Sequence, residues 1–526
     1  MSRPATLDEL AAEVVERIGR PIDLDAIAAT IETLGVRETD ARETFGAADV
    51  FDLARRVAPL ADALAPEEER DAPPPPVVRA ALGSARFLRL YGRGIFFALP
   101  MIVQVVTIAL LRLGTRIHIS DAQATAVMTG SILSFLVTGG FVQAIGRLGS
   151  VYVGRGNHVL ARRLAYRILG LGMLAAAALG ALVLALEQGV PLLPGHGTEV
   201  AAAYLVILSG LWLSLAVLYM LQQRVLVLVS VGVWVGTFAW LLEGPRAGVY
   251  QAQWGGAGAG SAFSGLAGLL VTWRLARRLP AERRQEPLPS ARQLAVEVRP
   301  YFAYGVLYFA IVFLDRIVGW TKAAPHGYVL FFRGPYELGL DWALLTLLLT
   351  VALLDYTITA FADALGPTQR RFAARDLHLH NRAFQYFYLR QLVLLGVLAV
   401  LSAAGMYFGG LWLRDAAGSF QEVRDFFADS TTYHVFLWGA LGYGLLVWGL
   451  LNAVFFFFVS RPAYALRPLA WALLAGVVAG AAASRTGPYW QSVVGLAAGG
   501  FVFAAGTTAY AIRLLDEIDF YYYASY

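Results

Sequence analysis

Residues 434–459 read HVFLWGALGYGLLVWGLLNAVFFFFV, with no Asp, Glu, Lys or Arg anywhere in the run. Coiled as a helix at about 1.5 Å per residue, a stretch of this length outreaches the ~30 Å hydrocarbon core of a bilayer. Stretches of the same kind recur on both sides of it. Toward the C-terminus they lie near 466–483 and 491–512. Toward the N-terminus they lie near 391–413, 341–364, 301–322, 255–273, 225–243, 200–221, 168–189, 122–145 and 92–112. The weakest is 255–273, because the glycines from Gly255 to Gly268 dilute its hydrophobicity. The expected fold class is therefore all-α: a polytopic membrane protein with about twelve transmembrane helices.

Composition agrees with that reading and removes several chemistries. The chain of 526 residues is 58% hydrophobic and 15% charged, with a mean hydropathy of +0.59. Soluble domains carry about 25% charged residues. Cysteine is absent, which excludes disulfides, cysteine-held metals and thiol nucleophiles. Of the 42 basic residues only Lys322 is a lysine, and it is followed by two alanines. No phosphate-cradling Gly-Lys-Ser/Thr motif can be written around it, so the chain does not drive transport with its own ATPase.

Charge divides the chain unevenly. Residues 1–78 hold 17 acids against 8 arginines, and the remainder holds 20 acids against 34 basic residues. The acidic part reads as a small cytosolic helical domain over 1–66. Thr6-Leu7-Asp8-Glu9 has the form of a capping box, and Leu7, Leu10, Val14 and Ile18 follow at helical spacing. A second helix runs from about Asp23 to Gly35, and a third pair spans roughly Thr39 to Leu64 with Pro59 inside it. Glu67-Glu68-Glu69 and Pro73-Pro74-Pro75-Pro76 make 67–84 a stiff polar linker. No secretory leader is read in the polar first 80 residues.

With the N-terminus inside, inner flanks and loops hold 25 basic residues and outer loops eight. That is the bias of the positive-inside rule, and it predicts both termini in the cytosol of a bacterial inner membrane. The spans also repeat. Ala144, Gly146, Arg155, His158, Arg162 and Tyr166 match Ala364, Gly366, Arg375, His378, Arg382 and Tyr386 at an offset of 220. Each set follows the second span of its half. Two six-helix lobes are expected, 85–285 and 286–526, holding substrate between them and opening alternately to either side.

Ionisable groups at bilayer depth cost about 2.5–3.5 kcal/mol each on insertion scales, so each asks for a reason. Asp315 and Arg316 lie in the seventh span. Neighbours on a helix diverge by about 100° and do not pair on one face. Asp315 shares its face with Tyr301, Tyr304 and Tyr308, a stripe suited to a sugar or to a coupling cation. In the eighth span Asp355, Thr359 and Asp363 stand at i, i+4 and i+8 on one side. A buried carboxylate there can take up a proton near neutrality, and Asp355 is the deeper of the two. H+ or Na+ is the expected coupling ion; no other cofactor and no bound metal is read from the sequence. Arg155, Arg162, Arg375 and Arg382 are read at the cytosolic mouth, where they attract anionic headgroups or an anionic polymer. His378 and His380 alternate in an arginine-rich loop and are read as solvent-facing. Gln104 and Asn452 are read as bonding across helices.

With these features in place the chain resembles the multidrug/oligosaccharidyl-lipid/polysaccharide flippase superfamily, and within it the Pel-type exopolysaccharide transporters. The seventh span carries Tyr304-Gly305, Tyr308-Phe309, Asp315-Arg316 and Trp320, similar to that family's YG…F…D-K/R…W segment. Arg316 stands where lysine is more usual. The end of the second span, Ser134-Phe135-Leu136-Val137-Thr138-Gly139-Gly140 leading to Arg147, is similar to its counterpart there. The resemblance implies a flippase that moves a polysaccharide or lipid-linked glycan outward as an ion-coupled antiporter in contact with membrane lipid. A cytosolic glycosyltransferase and accessory membrane proteins are its implied partners, with no role for nucleic acid.

Three other readings compete with this one. A multidrug exporter of the same superfamily would share the architecture. A major-facilitator carrier should have an acidic-arginine loop after span 2, but Arg147 to Arg167 holds no acid. A membrane glycosyltransferase or ligase needs a large outer loop with paired carboxylates. The best acidic group outside, Asp415, Glu422, Asp425 and Asp429, is read as a solvated loop, so the chain is not expected to be an enzyme.

Overall fold

The computed structural model describes residues 6–19, 21, 23–65, 87–92, 94, 120–277, 288–322, 324, 327–369, 377–416 and 429–523. The linker 67–84 and nearly all of the expected first span fall outside these residues, as does Gln104.

Four helices open the chain: α1 (Leu7–Ile18), α2 (Leu24–Thr33), α3 (Glu38–Glu43) and α4 (Val50–Leu64). Their starts are set by side-chain caps. Thr6 accepts the Glu9 N–H at 3.2 Å, Asp23 that of Ala26 at 2.7 Å and Asp49 that of Asp52 at 2.7 Å. Past the end of α2, Gly35 takes φ +83°, where a side chain would be strained. Leu10, Val14, Ile27, Ile31, Leu53 and Val57 form a buried core of their own. Pro59 is accommodated within α4.

The first half of the membrane body comprises α5 (Asp121–Gly154), α6 (His158–Glu187), α7 (Gly197–Met220), α8 (Arg224–Glu243) and α9 (Val249–Arg277). The second comprises α10 (Ala291–Trp320), α11 (Gly334–Leu345), α12 (Leu347–Gln369), α13 (Leu377–Ala416), α14 (Ser430–Phe458), α15 (Ala463–Thr486) and α16 (Val493–Asp516). A short α17 (Ile518–Tyr523) follows and touches α2. Among the described residues no strand occurs, and ten helical segments are long and apolar enough to cross a membrane. Each half packs chiefly on itself, and α5 against α10 is the main contact between them.

Glycine accounts for both the weakest span and the seam. α9 has 29 residues but is not among the ten apolar segments. A methyl on its Gly256 would lie 2.7 Å from the Trp234 carbonyl of α8, so the dilution in hydropathy is exchanged for close helix contact. Gly139 of α5 and Gly305 of α10 meet in the same way, each leaving no room for a Cβ on the other.

One boundary differs from the sequence reading. The eighth span is expected from 341, whereas helix begins at Gly334, with Pro335 in its first turn, and is interrupted at Thr346. The polar Glu337 makes 334–340 look like an outer loop, with Asp341 at the edge of the expected span. They are helical because a buried partner on α10 receives them.

Candidate functional site

That partner is Arg316. Asp315 and Arg316 lie close to the end of α10 and are 1% and 2% exposed. Their side chains diverge around the helix and find different partners. The Tyr336 hydroxyl donates to the Asp315 carboxylate at 2.7 Å, and the Ser492 hydroxyl donates to Tyr336 at 3.0 Å. Arg316 turns to α11, where Glu337 lies 2.8 Å from one guanidinium nitrogen and Asp341 lies 3.2 Å from another. Glu337 and Asp341 stand one helical turn apart, which suits the two arms of a guanidinium. The Trp320 indole N–H donates to the second oxygen of Glu337 at 2.7 Å.

Two carboxylates thus share one guanidinium, and a third, Asp315, is buried beside it on the Tyr336 hydroxyl. Asp315 and Glu337 are enclosed, while Asp341 has 59% of its side chain exposed and forms the open edge of the group. With every carboxylate ionised, the enclosed Asp315 and Glu337 exceed Arg316 by one negative charge, and Asp341 adds a second at the open edge. Isolated charge in an apolar interior costs several kcal/mol per ion, which proton uptake or a bound cation relieves.

The tyrosine stripe only partly joins this cluster. Tyr304 is buried, stacks on Tyr308 with centroids 5.8 Å apart, and meets Phe457 edge-on at 4.8 Å. Its hydroxyl has no hydrogen-bond partner among the described residues. Tyr301 lies under the Arg147 guanidinium at 4.9 Å. The hydroxyl that reaches Asp315 comes from Tyr336 instead, a residue that sequence reasoning does not single out. Glu337 and Asp341 escape it as well. Their signal is the i, i+4 acidic pair just inside a Gly-Pro helix start.

Asp355 is not grouped with Asp315. Its side chain is 26% exposed and lies 3.6 Å from Arg224, the first residue of α8 in the other half. That places it beside the turn between α7 and α8. Thr359 donates to the Asp355 backbone carbonyl at 2.9 Å rather than to its carboxylate. The side chain of Asp363 lies outside the described residues, as do Arg375, His378 and His380. Arg155 is exposed in the α5–α6 turn with its guanidinium 6.0 Å from the Tyr152 ring. Arg162 is half-buried on α6, and Arg382 is exposed near the start of α13. Asn452 is buried and bonds across helices: Tyr388 donates to it at 2.8 Å, and it donates to Thr507 at 3.0 Å.

At the seam, aromatic rings from the two halves stack. Phe135 of α5 lies 4.7 Å from Trp212, 5.3 Å from Phe309 and 5.4 Å from Phe313. The Arg316 guanidinium is 5.6 Å from the Phe313 ring. The column therefore runs from the first half to the edge of the carboxylate cluster.

Fold and site together define a polytopic, all-helical membrane protein with its deepest charges gathered in the second half. Its fold is that of the MATE transporters of the MOP superfamily. A eukaryotic MATE transporter, AtDTX14, is similar with a TM-score of 0.57 at 14% identity, over 84% of this chain and 99% of its own. A MATE protein solved in complex with MaL6 gives 0.51 at 14% identity, over 85% of this chain and 98% of that one. An inward-facing multidrug resistance MATE family transporter also gives 0.51 at 14% identity, covering 75% and 91%. These neighbours are transporters, not enzymes. No protein-family model matches the chain, and no curated protein matches its sequence. The comparisons reach the superfamily fold and lend no support to a Pel-type subfamily.

Proposed function

We propose that this protein is an ion-coupled secondary transporter working by alternating access between lobes 85–285 and 286–526. The carrying observation is the excess of carboxylate over guanidinium at this site: Glu337 and Asp341 pair with Arg316, while the buried Asp315 next to it is held only by the Tyr336 hydroxyl. A purely structural network would balance its charges. A surplus of acid in an enclosed site supports reversible occupation by H+ or Na+, and Asp341 offers the way in. Asp315, Arg316, Glu337 and Asp341 are the coupling group in this reading. The Asp355–Arg224 pair is a second contact that must break when the lobes part.

The substrate we propose is a polysaccharide or lipid-linked glycan, as the similarity of the seventh span to Pel-type transporters implies. The orientation follows from the basic loops: a bacterial cytoplasmic membrane, both ends inside, and Arg155, Arg162, Arg375 and Arg382 at the cytosolic mouth. The acidic unit 1–66, held on linker 67–84, is then placed to meet a cytosolic glycosyltransferase. A second reading, multidrug export, is favoured by the stacked rings beside the open carboxylate of Asp341, which suit a flat organic cation. It also agrees with the multidrug resistance transporter among the structural neighbours.

Deletion of the gene, followed by parallel assays of surface polymer and of cationic dye efflux, separates the two substrates. Asp315→Asn and Glu337→Gln should abolish whichever activity is lost, at unchanged protein level in the membrane. Asp355→Asn should reduce or abolish it. Full activity in both Asp315→Asn and Glu337→Gln would remove the cluster from the mechanism.

A further inference from the structure

The described part of the connection between α10 and α11 includes a strap, residues 327–333, that bridges the two halves. Its base is tied to the second half. Lys322, the one lysine of the chain, donates to the carbonyls of Ser484 and Gly487 at the C-terminal end of α15. A cation there also meets the negative end of a helix dipole. Arg333 donates to the Lys322 carbonyl at 2.9 Å, and Arg485 donates to the Thr321 hydroxyl at 2.7 Å. The body of the strap rests on the first half. The N–H groups of Val329 and Leu330 donate to the carbonyls of Pro191 and Leu192, both at 3.3 Å. The Phe332 N–H donates to the Thr125 hydroxyl at 3.0 Å.

Trp320 lies between this strap and the carboxylate cluster. Its carbonyl accepts the Phe331 N–H at 3.3 Å, and its ring lies 6.0 Å from that of Phe332. Its indole N–H is given to Glu337 at 2.7 Å, the carboxylate paired with Arg316. One buried side chain therefore touches the charged group at one end and the bridge between halves at the other.

We propose that the strap is a latch holding the two halves together on their α6–α7 loop side, and that Trp320 is the positioning residue that ties the latch to the charge on Glu337. A carboxylate holds the indole N–H by a charge-assisted hydrogen bond, and a neutral group holds it more weakly. Neutralising Glu337 frees the indole, shifts its ring against Phe332 and lifts the strap off Thr125 and the 191–192 carbonyls. This rests on reading Glu337 as part of the coupling group. It adds the element through which that group reaches the gate.

The cysteine-free chain makes the test direct. In the full-length protein, the double variant Leu192→Cys/Leu330→Cys reports closure of the latch as the rate of disulfide formation under copper phenanthroline. Adding Glu337→Gln is expected to slow cross-linking about tenfold or more, the factor that one hydrogen bond to a charged group is worth. Trp320→Phe, which removes the donor and keeps a ring, is expected to slow it comparably. The two together should be no slower than Trp320→Phe alone, because the side-chain route from Glu337 to the strap through the indole is already cut, and the backbone bond from residue 337 to Arg333 is the same in every variant. A merely structural tryptophan gives factors that multiply in the combined variant, and that result overturns the proposal. So does an unchanged rate in Glu337→Gln. If Trp320→Phe does not fold, Phe332→Ala replaces it in the same cycle with the same two outcomes. Transport by Glu337→Gln is measured separately. Loss of transport with multiplying factors sinks the relay alone, whereas retained transport with a non-multiplying cycle sinks the coupling reading alone.

Discussion

Arg316 shows how one buried side chain can hold two helices together through charge. It satisfies Glu337 and Asp341 together, so its removal strands negative charge in a closed site. Arg316→Ala is expected to destabilise the protein by about 3–5 kcal/mol, read as a lowered midpoint of thermal unfolding in detergent. Arg414 is the contrast: its bond to Asp415 at 2.9 Å is exposed to solvent, and Arg414→Ala should leave the midpoint almost unchanged in the same assay. Asp52 carries a pH-dependent contribution outside the membrane. The Ala48 N–H and the Arg56 guanidinium hold its carboxyl below the ordinary value of 3.8. A lowered folded-state value means stabilisation that is complete above 3.8 and lost as pH falls through the lowered value. Hydrogen exchange over residues 50–57 should quicken in that acid range, and Asp52→Asn should remove this part of the pH dependence.

Helices in an apolar solvent gain nothing from burying leucine against leucine, so close backbone contact and polar pairing must hold them. The α5–α10 seam uses the first device. A methyl on Gly305 would collide with the Gly139 carbonyl, an atom that cannot rotate away. Gly305→Ala is expected to cost about 1–3 kcal/mol or more through overpacking. It should also open the seam, which increased proteolysis between the halves would register. Gly396 on α13 is the opposite case, since a methyl added there would meet nothing within 4 Å. Gly396→Ala should be neutral or stabilising by up to about 1 kcal/mol, separating a seam effect from a generic cost of adding alanine.

Across the whole molecule, the predicted orientation and the independence of the N-terminal unit can both be tested by placement. Single cysteines replacing His196 and Arg246 should react with an impermeant maleimide added outside intact cells, and those replacing Arg155 and Arg461 only after permeabilisation. Reaction in the opposite sense would overturn the assignment of both ends to the cytosol. The α1–α4 core is separate from the clusters of the membrane body. Leu53 is fully buried in it, and Leu53→Ala should cost that unit about 2–5 kcal/mol. Hydrogen exchange should quicken over residues 7–64 with no shift in the unfolding of the membrane helices.

Apolar run length fixes membrane helices because hydrocarbon leaves the backbone no partner but itself. For that reason ten of the twelve expected spans, the helices of the N-terminal unit with the Thr6 cap, and the suspicion attached to Asp315 and Arg316 can be read from the chain alone. Charge partners are a different matter. In sequence Tyr336 and Glu337 fall before the expected start of the eighth span, and Asp341 falls at its first position. What makes them a site is that α11 starts early and lies against the end of α10, bringing residues 21 to 25 positions apart within hydrogen-bonding reach. Asp355 gains a partner in the same way: the packing of α12 sets it beside Arg224, the first residue of α8. Local pattern decides which segments leave water. Only the pairing of one helix with another decides which buried charge meets which, since hydrogen-bonded ion pairing needs contact geometry that carries no periodicity along the chain.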